Sequence, residues 1–470
     1  MHIKWQAATT FLWLLAASVS VAAQPGPPVP LLAPAALQED LRFLRAAIDT
    51  THPAPDLFAS AETLRKAYEH VTAQLQQPLT RDQSWRALAS LNPVFADGHM
   101  FVVYPDWREE ARAHVAAGGT LFPYEVQVDV AGAMTIRTGL GGVASPLAGV
   151  GIASINGKPA AQVGRELLAL MGGETPALRA HLLSRRMWFY YWKAYGAPRQ
   201  FDLVLARPEG AVTLRVAGSA TFPAAPSFDQ TFRFTLLPDK AALLTIDQFQ
   251  WADKPAFYAF TKDVFARIRA AGVTTLIIDI RENSGGDDDM WKTGLLPYIA
   301  DKPFRNASSY VKKVIAGRQS GLEKVGDVVH GFGDTWVAPD LANPLFFSGQ
   351  TYVLVGRVTY SSAVLFSNVM QDFGFGQLAG AGGYARTRQT GGVQNVILPN
   401  TGLEITIPRF VVDRPSGARE PALVHPDIVL PDSPFDRMVT VNALLARVRG
   451  GSVPSSTAPG PNRAPTSSAR

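Results

Sequence analysis

The sequence predicts an α/β fold built from several units: an N-terminal helical region, a small β-rich unit and a C-terminal layered α/β domain. Three observations predict it. Apolar residues recur at helical spacing over residues 37–91. From about residue 118 short stretches alternate like paired strands, and from about residue 228 strands alternate with helices, the pattern of a layered sheet. At ~150 residues per domain, 470 residues make roughly three units.

The elements follow in order. Residues 1–23, "MHIKWQAATTFLWLLAASVSVAA", join a lysine, a short apolar run and small terminal residues, the parts of a cleaved secretory signal. Residues 24–36 form a Pro-rich linker, "QPGPPVPLLAPAA", read as lacking regular structure. Two or three helices are expected across 37–91, and the turn and short strand of "NPVFADGHMFVVYPD" complete a unit over 37–117. Strands around Ala131-Gly132, a turn at Asn156-Gly157 followed by a helix, and the hairpin "FDLVLARPEGAVTLRVAG" form a unit over 118–220. Over 228–448 lie the strand "AALLTIDQFQ", a helix ending at Gly272, the buried strand of "VTTLIIDIRENSGG", the strand "TYVLVGRV" with a helix after it, and late strands. Asp279 and Arg281 are read as marking the exit of that buried strand from the core. Residues 449–470, rich in Pro, Ser and Ala, form a tail expected to be disordered.

Composition narrows the function. The net charge of +5 is spread without runs, which gives no nucleic-acid footprint. The absence of cysteine excludes disulfides, a thiol nucleophile, Cys-ligated metal and a lipidated N-terminal cysteine. The histidines show no H-x-x-x-H spacing, so zinc is not expected. No stable membrane span remains after signal cleavage, and the expected location is periplasmic or secreted.

Three places carry candidate chemistry. In "TYSSAVLFSNVMQDFG", Ser361 and Ser362 occupy the corner between a buried strand and an amphipathic helix. Such serines serve either as helix caps or as an exposed nucleophile beside free backbone N–H groups. In "DIRENSGGDDDMW", Gly285 and Gly286 form either a tight turn or a turn presenting N–H groups to an anion. Asp287–Asp289 lack calcium-loop spacing and read as a solvated acidic turn. In "FADGHMFVVYP", His99 is either a structural hydrogen-bonder or a proton carrier.

The succession of "DIRENSGG" and "TYSSA…MQDFG" resembles the tail-specific (C-terminal-processing) protease family of serine peptidases. "THPAPDLF", "FADGHMFV", "GVGIASINGKPAAQV" and "GAREPALVHPDIVL" extend the likeness to the tricorn-core-like and interphotoreceptor retinoid-binding protein-like branch. The resemblance implies a PDZ-like domain at 118–220 and a ClpP/crotonase-like catalytic domain at 228–448. It implies Ser361 as nucleophile and the N–H groups of Ser362 and Gly285 as oxyanion donors. The family's Glu after the serine run is Val364 here. Where many members carry a lysine base, this chain has Arg386, which stays protonated and cannot accept the serine's proton. The resemblance therefore implies His99 as base, oriented by Glu420, with Asp97 as the competing orienter. A peptide or protein substrate follows, and the implied serine-hydrolase mechanism calls for no cofactor. A ligand- or peptide-binding protein on the same fold and a small-molecule esterase are the alternatives, and oligomeric state is not specified.

Overall fold

The computed structural model describes residues 29–450. The expected leader, the start of the Pro-rich segment and residues 451–470 of the expected tail lie outside the described residues. The remainder of the Pro-rich segment is structured, against expectation. Leu31–Leu32 pair with Leu79–Thr80, and Pro34 opens the helix Pro34–Thr51. A proline in the first helical turn has no intrahelical partner to lose, so it starts a helix at no hydrogen-bonding cost.

The C-terminal half is organised by a six-stranded sheet in the order Phe232–Leu237, Ala241–Ile246, Thr275–Asp279, Gln350–Val355, Gln377–Gly380, Ile428–Val429. Its first pair is antiparallel and the rest are parallel. Thr275–Asp279 is buried throughout because both faces are covered. Leu276 and Ile278 pack with Phe265 and Phe366 from the helices Lys254–Ala270 and Ser362–Asp372, whereas Ile277 packs with Val441 and Leu444 of the helix Met438–Arg449. The strand does not leave the core at Asp279 and Arg281, which are 1% and 0% exposed. Arg281 reaches Asp279 at 2.9 Å and Asp432 at 3.0 Å, so mutual neutralisation replaces water. Despite burial, Arg281 and Arg437 hold the Asp279 carboxyl down at about 2.

Residues 37–117 and 118–220 share one hydrophobic core. It runs from Leu37 and Trp85 to Phe122, Ile136 and Leu203 and takes in Leu403, Ile405 and Ile407 from the far end of the chain. The second stretch forms an antiparallel sheet in the order Tyr124–Val128, Met134–Gly139, Gly151–Ile155, Gln200–Arg207, Gly210–Ala217. The helix Pro176–Tyr195 packs beside it.

Of two small sheets, one ties the halves together and the other lies within the C-terminal half. Phe101–Val103 pairs antiparallel with Glu404–Ile407, and Gln389–Gly391 pairs with Phe410–Val412. The first pairing draws the DGH segment across to the C-terminal half. Among the described residues no helix is long and apolar enough to cross a membrane.

Candidate active site

The serine corner and the glycine turn meet because they leave the same edge of the sheet. Thr275–Asp279 and Gln350–Val355 are adjacent and parallel, so their carboxyl ends release both loops side by side. Three bonds stitch the loops: Val358 N to Arg281 O at 3.0 Å, Tyr360 N to Asn283 O at 3.1 Å, and Thr359 Oγ1 to Ile280 O at 2.9 Å. A Cβ on Gly285 would lie 2.6 Å from the Ser361 Cβ, so only glycine permits this approach.

The two serines divide their roles. Ser361 sits at φ 53°, ψ −125°, a conformation that non-glycine residues rarely adopt and that persists where the surroundings enforce it. Its hydroxyl does not cap the helix Ser362–Asp372. It meets His99 Nε2 at 2.9 Å instead. The Ser362 hydroxyl is occupied: it donates to Asp288 at 2.5 Å and accepts from Trp291 Nε1 at 2.9 Å.

His99 arrives from 262 positions earlier in the chain. Thr406 Oγ1 donates to His99 O at 3.0 Å, and Gly98 N donates to the Tyr360 hydroxyl at 3.1 Å. A side chain at Gly98 would strike the Tyr360 ring at 2.6 Å. The other ring nitrogen, Nδ1, is 2.9 Å from Thr390 Oγ1, and that hydroxyl donates to Asp97 Oδ1 at 2.9 Å. A hydroxyl has one proton, so with Thr390 donating to the carboxylate, Nδ1 must carry the hydrogen that Thr390 accepts. The tautomer follows: Nε2 is left unprotonated and faces the Ser361 hydroxyl. Asp97 also accepts from His99 N at 2.7 Å and lies 3.9 Å from Nδ1.

Burial lowers the His99 pKa below its ordinary 6.5, with Asp97 opposing the shift. The ring is therefore neutral at pH 7 and able to accept a proton. Beneath it, the buried Tyr360 hydroxyl lies 3.3 Å from Nδ1 and donates to Glu174 Oε1 at 3.0 Å. Burial, then repulsion from Asp97, pushes the Glu174 carboxyl up to about 7. Its folded pKa thus exceeds its unfolded one, so its contribution to stability is full below pH ~4.5 and is lost as pH rises through about 7. Glu174→Gln is expected to flatten the fall in melting temperature over that window, measured by thermal unfolding at stepped pH.

Two expected site residues are not where the site needs them. Glu420 is exposed, and its Oε2 accepts from Ala422 N at 3.2 Å. Thr387 N to Ala422 O and Val424 N to Ala385 O, both 2.9 Å, hold its segment along the surface, and it makes no hydrogen bond or ion pair with His99. The carboxylate coupled to His99 is Asp97. Gly285 N is not free for an oxyanion either, since it donates to the side chain of buried Asn283 at 2.8 Å. Among the described residues the amides of Ser362 and Gly286 have no hydrogen-bond acceptor.

Arg386 is a strut. Its Nη1 donates to Ala96 O at 2.7 Å, its guanidinium lies 3.8 Å from the Phe58 ring centroid, and its backbone N–H bonds Glu174. It therefore braces the segment that carries Asp97 and His99. Thr390, Tyr360 and Glu174 escaped sequence reasoning, whereas Gly286 was named there with Gly285 as a possible N–H donor. Tyr360 was adjacent to the serine in the quoted corner, but no feature of residue type marked the others.

A cavity of about 600 Å³ opens beside the site, with His99, Tyr360 and Ser284 in its wall. No cluster of three or more metal-ligating side chains occurs among the described residues.

Residues 240–430 match the model of Peptidase family S41. Among solved structures, mature CPAF complexed with lactacystin superimposes with a TM-score of 0.63 at 17% identity, over 88% of this chain and 97% of that one. Mature CPAF alone gives 0.61 at 17% identity, over 88% and 96%. The photosystem II D1 C-terminal processing protease gives 0.44 at 17% identity, over 87% and 96%. No curated protein matches the chain.

Proposed function

From the premise that this chain belongs to peptidase family S41, the serine peptidases that include tail-specific proteases, we propose that it is an endopeptidase working through Ser361 and His99. The observation that carries this reading is the 2.9 Å contact between His99 Nε2 and the Ser361 hydroxyl, made by a serine that declines its helix-capping role. Ser361 Oγ attacks the peptide carbonyl as its proton passes to Nε2. The Nδ1–H stays bonded to Thr390, and through it the Asp97 charge stabilises the imidazolium. The amides of Ser362 and Gly286 receive the oxyanion. His99 then protonates the leaving amine, and water repeats the sequence on the acyl-enzyme.

A fluorophosphonate probe tests the reading. Labelling at Ser361 that competes with a peptide substrate is expected, and no labelling would favour a binding protein on this fold. Turnover of a small acyl ester without turnover of casein would favour an esterase.

Thr390 acts through His99. Thr390→Val is expected to lower kcat roughly 10²-fold with little change in KM, because the ring loses its orienting partner while the substrate surface persists. Thr390→Ser is expected to restore most of the rate. A valine variant of normal kcat would remove Thr390 from the relay.

We also propose export to the periplasm or the exterior. The lysine, apolar run and small residues of 1–23 support it, as does the lack of cysteine. N-terminal sequencing of protein recovered from the periplasmic or culture fraction should begin near Gln24; a start at Met1 in the cytosol would refute it.

A further inference from the structure

The cavity beside His99 carries an unusual charge. Arg108, Arg137, Arg185 and Arg186 all line it. They come from three elements, the helix Trp107–Ala116, the strand Met134–Gly139 and the helix Pro176–Tyr195, so the fold assembles them. None of the four has a salt bridge among the described residues, although most other arginines near acidic groups do. The two glutamates in the wall offset the four arginines only in part, Glu282 acting on Arg185 while it also serves Arg357. Glu282 is already paired with Arg357 at 2.7 Å, and Glu125 accepts from Thr138 at 3.2 Å and Gly141 N at 3.3 Å.

Like charges confined to one cavity repel across few waters, and that costs stability unless an anion meets them. Arg185 is exposed and lines the cavity. Arg108 and Arg186 lie over the Trp107 ring, at 4.2 and 4.9 Å from its centroid, which fixes both heads at the wall. Arg186 also sits at a break in its helix, with φ −142° and ψ 25°. The guanidinium fork matches a carboxylate better than any other side chain does.

We propose that this cavity is a substrate subsite for carboxylate-rich peptide segments, in which Arg108, Arg137, Arg185 and Arg186 receive acidic side chains of a chain lying across Ser361. The proposal rests on the peptidase reading of the site and names its substrate class. Four guanidinium groups exceed what one terminal carboxylate neutralises, so the recognised feature is several acidic side chains.

The test uses the full chain and two fluorogenic peptides that differ only by three Glu-to-Gln replacements, each made with a free and an amidated C-terminus. The Glu peptide is expected to show about tenfold higher kcat/KM, a gap that closes as salt is raised. Arg185→Gln should narrow the gap several-fold and Arg185→Lys should recover part of it. Equal or better cleavage of the Gln peptide overturns the proposal, as does a preference that disappears on amidation alone. Fluorescence anisotropy of both peptides with the Ser361→Ala protein separates this from the peptidase reading. Tighter binding of the Glu peptide without any cleavage by the wild-type protein supports the subsite and sinks the peptidase. Cleavage of both peptides with equal binding does the reverse. A single-stranded oligonucleotide that displaces the Glu peptide at lower concentration would reassign the cavity to nucleic acid and overturn the proposal.

Discussion

Ser361→Ala is expected to lower kcat/KM by roughly 10⁴–10⁶-fold while leaving the protein folded. The loss is large because the proposed nucleophile is the hydroxyl that meets His99 Nε2, while its neighbour Ser362 is held by Asp288 and Trp291. The fold survives because alanine keeps the Cβ, and the hydroxyl caps nothing. The same corner predicts a contrast. Ser361→Gly should be just as inactive but more stable by about 1 kcal/mol, since glycine adopts φ 53° without the Cβ clash. Hydrolysis assays with thermal unfolding check both. An alanine variant retaining a tenth of wild-type activity would move the nucleophile elsewhere, and a glycine variant melting below wild type would show that the corner stores no strain.

His99→Ala is expected to cost a similar factor, and the double variant Ser361→Ala/His99→Ala should be no worse than either alone. A nucleophile and its base act as one unit, so removing the second member takes away nothing that still works. The pH profile gives an independent reading. The active ring is neutral, burial lowers its pKa below 6.5, and protonation therefore begins only at lower pH. The acid limb of kcat/KM should accordingly fall below pH 6.5, with full activity at pH 7. Asp97→Asn should push that limb lower still, because Asp97 is the group that raises the pKa. A limb above 6.5, or one unmoved by Asp97→Asn with activity intact, would contradict the relay.

Much of the site was legible before any coordinates. Local signals, a strand-to-helix corner and a Gly turn, singled out Ser361 and His99 while leaving a structural or a chemical role open; the family resemblance implied the roles. Both signals survive translation into three dimensions because they depend on backbone geometry within a few residues. The errors have a common origin. Glu420 was assigned from its place in a late motif, yet whether a carboxylate reaches an imidazole depends on which face of a loop the neighbouring pairings leave outward. Gly285 was assigned because glycine turns expose amides, and the Asn283 side chain two residues earlier took that amide first. Arg386 was set aside as a base from its chemistry alone, whereas its contact with Ala96 became legible only in the structure.

By itself the sequence determined the α/β class, the order of its strands and helices, the serine at the corner and the unsuitability of arginine as a base. Periodicity, turn residues and intrinsic pKa values are properties of short windows, so no partner is needed to read them. Only the tertiary structure decided that Asp97 reaches the imidazole through Thr390, that Glu174 lies beneath Tyr360, and that four arginines from three elements face one cavity. Those facts depend on antiparallel pairings between residues about 300 positions apart, such as Thr406 with Phe101. Side-chain type alone does not specify which surfaces such pairings bring together.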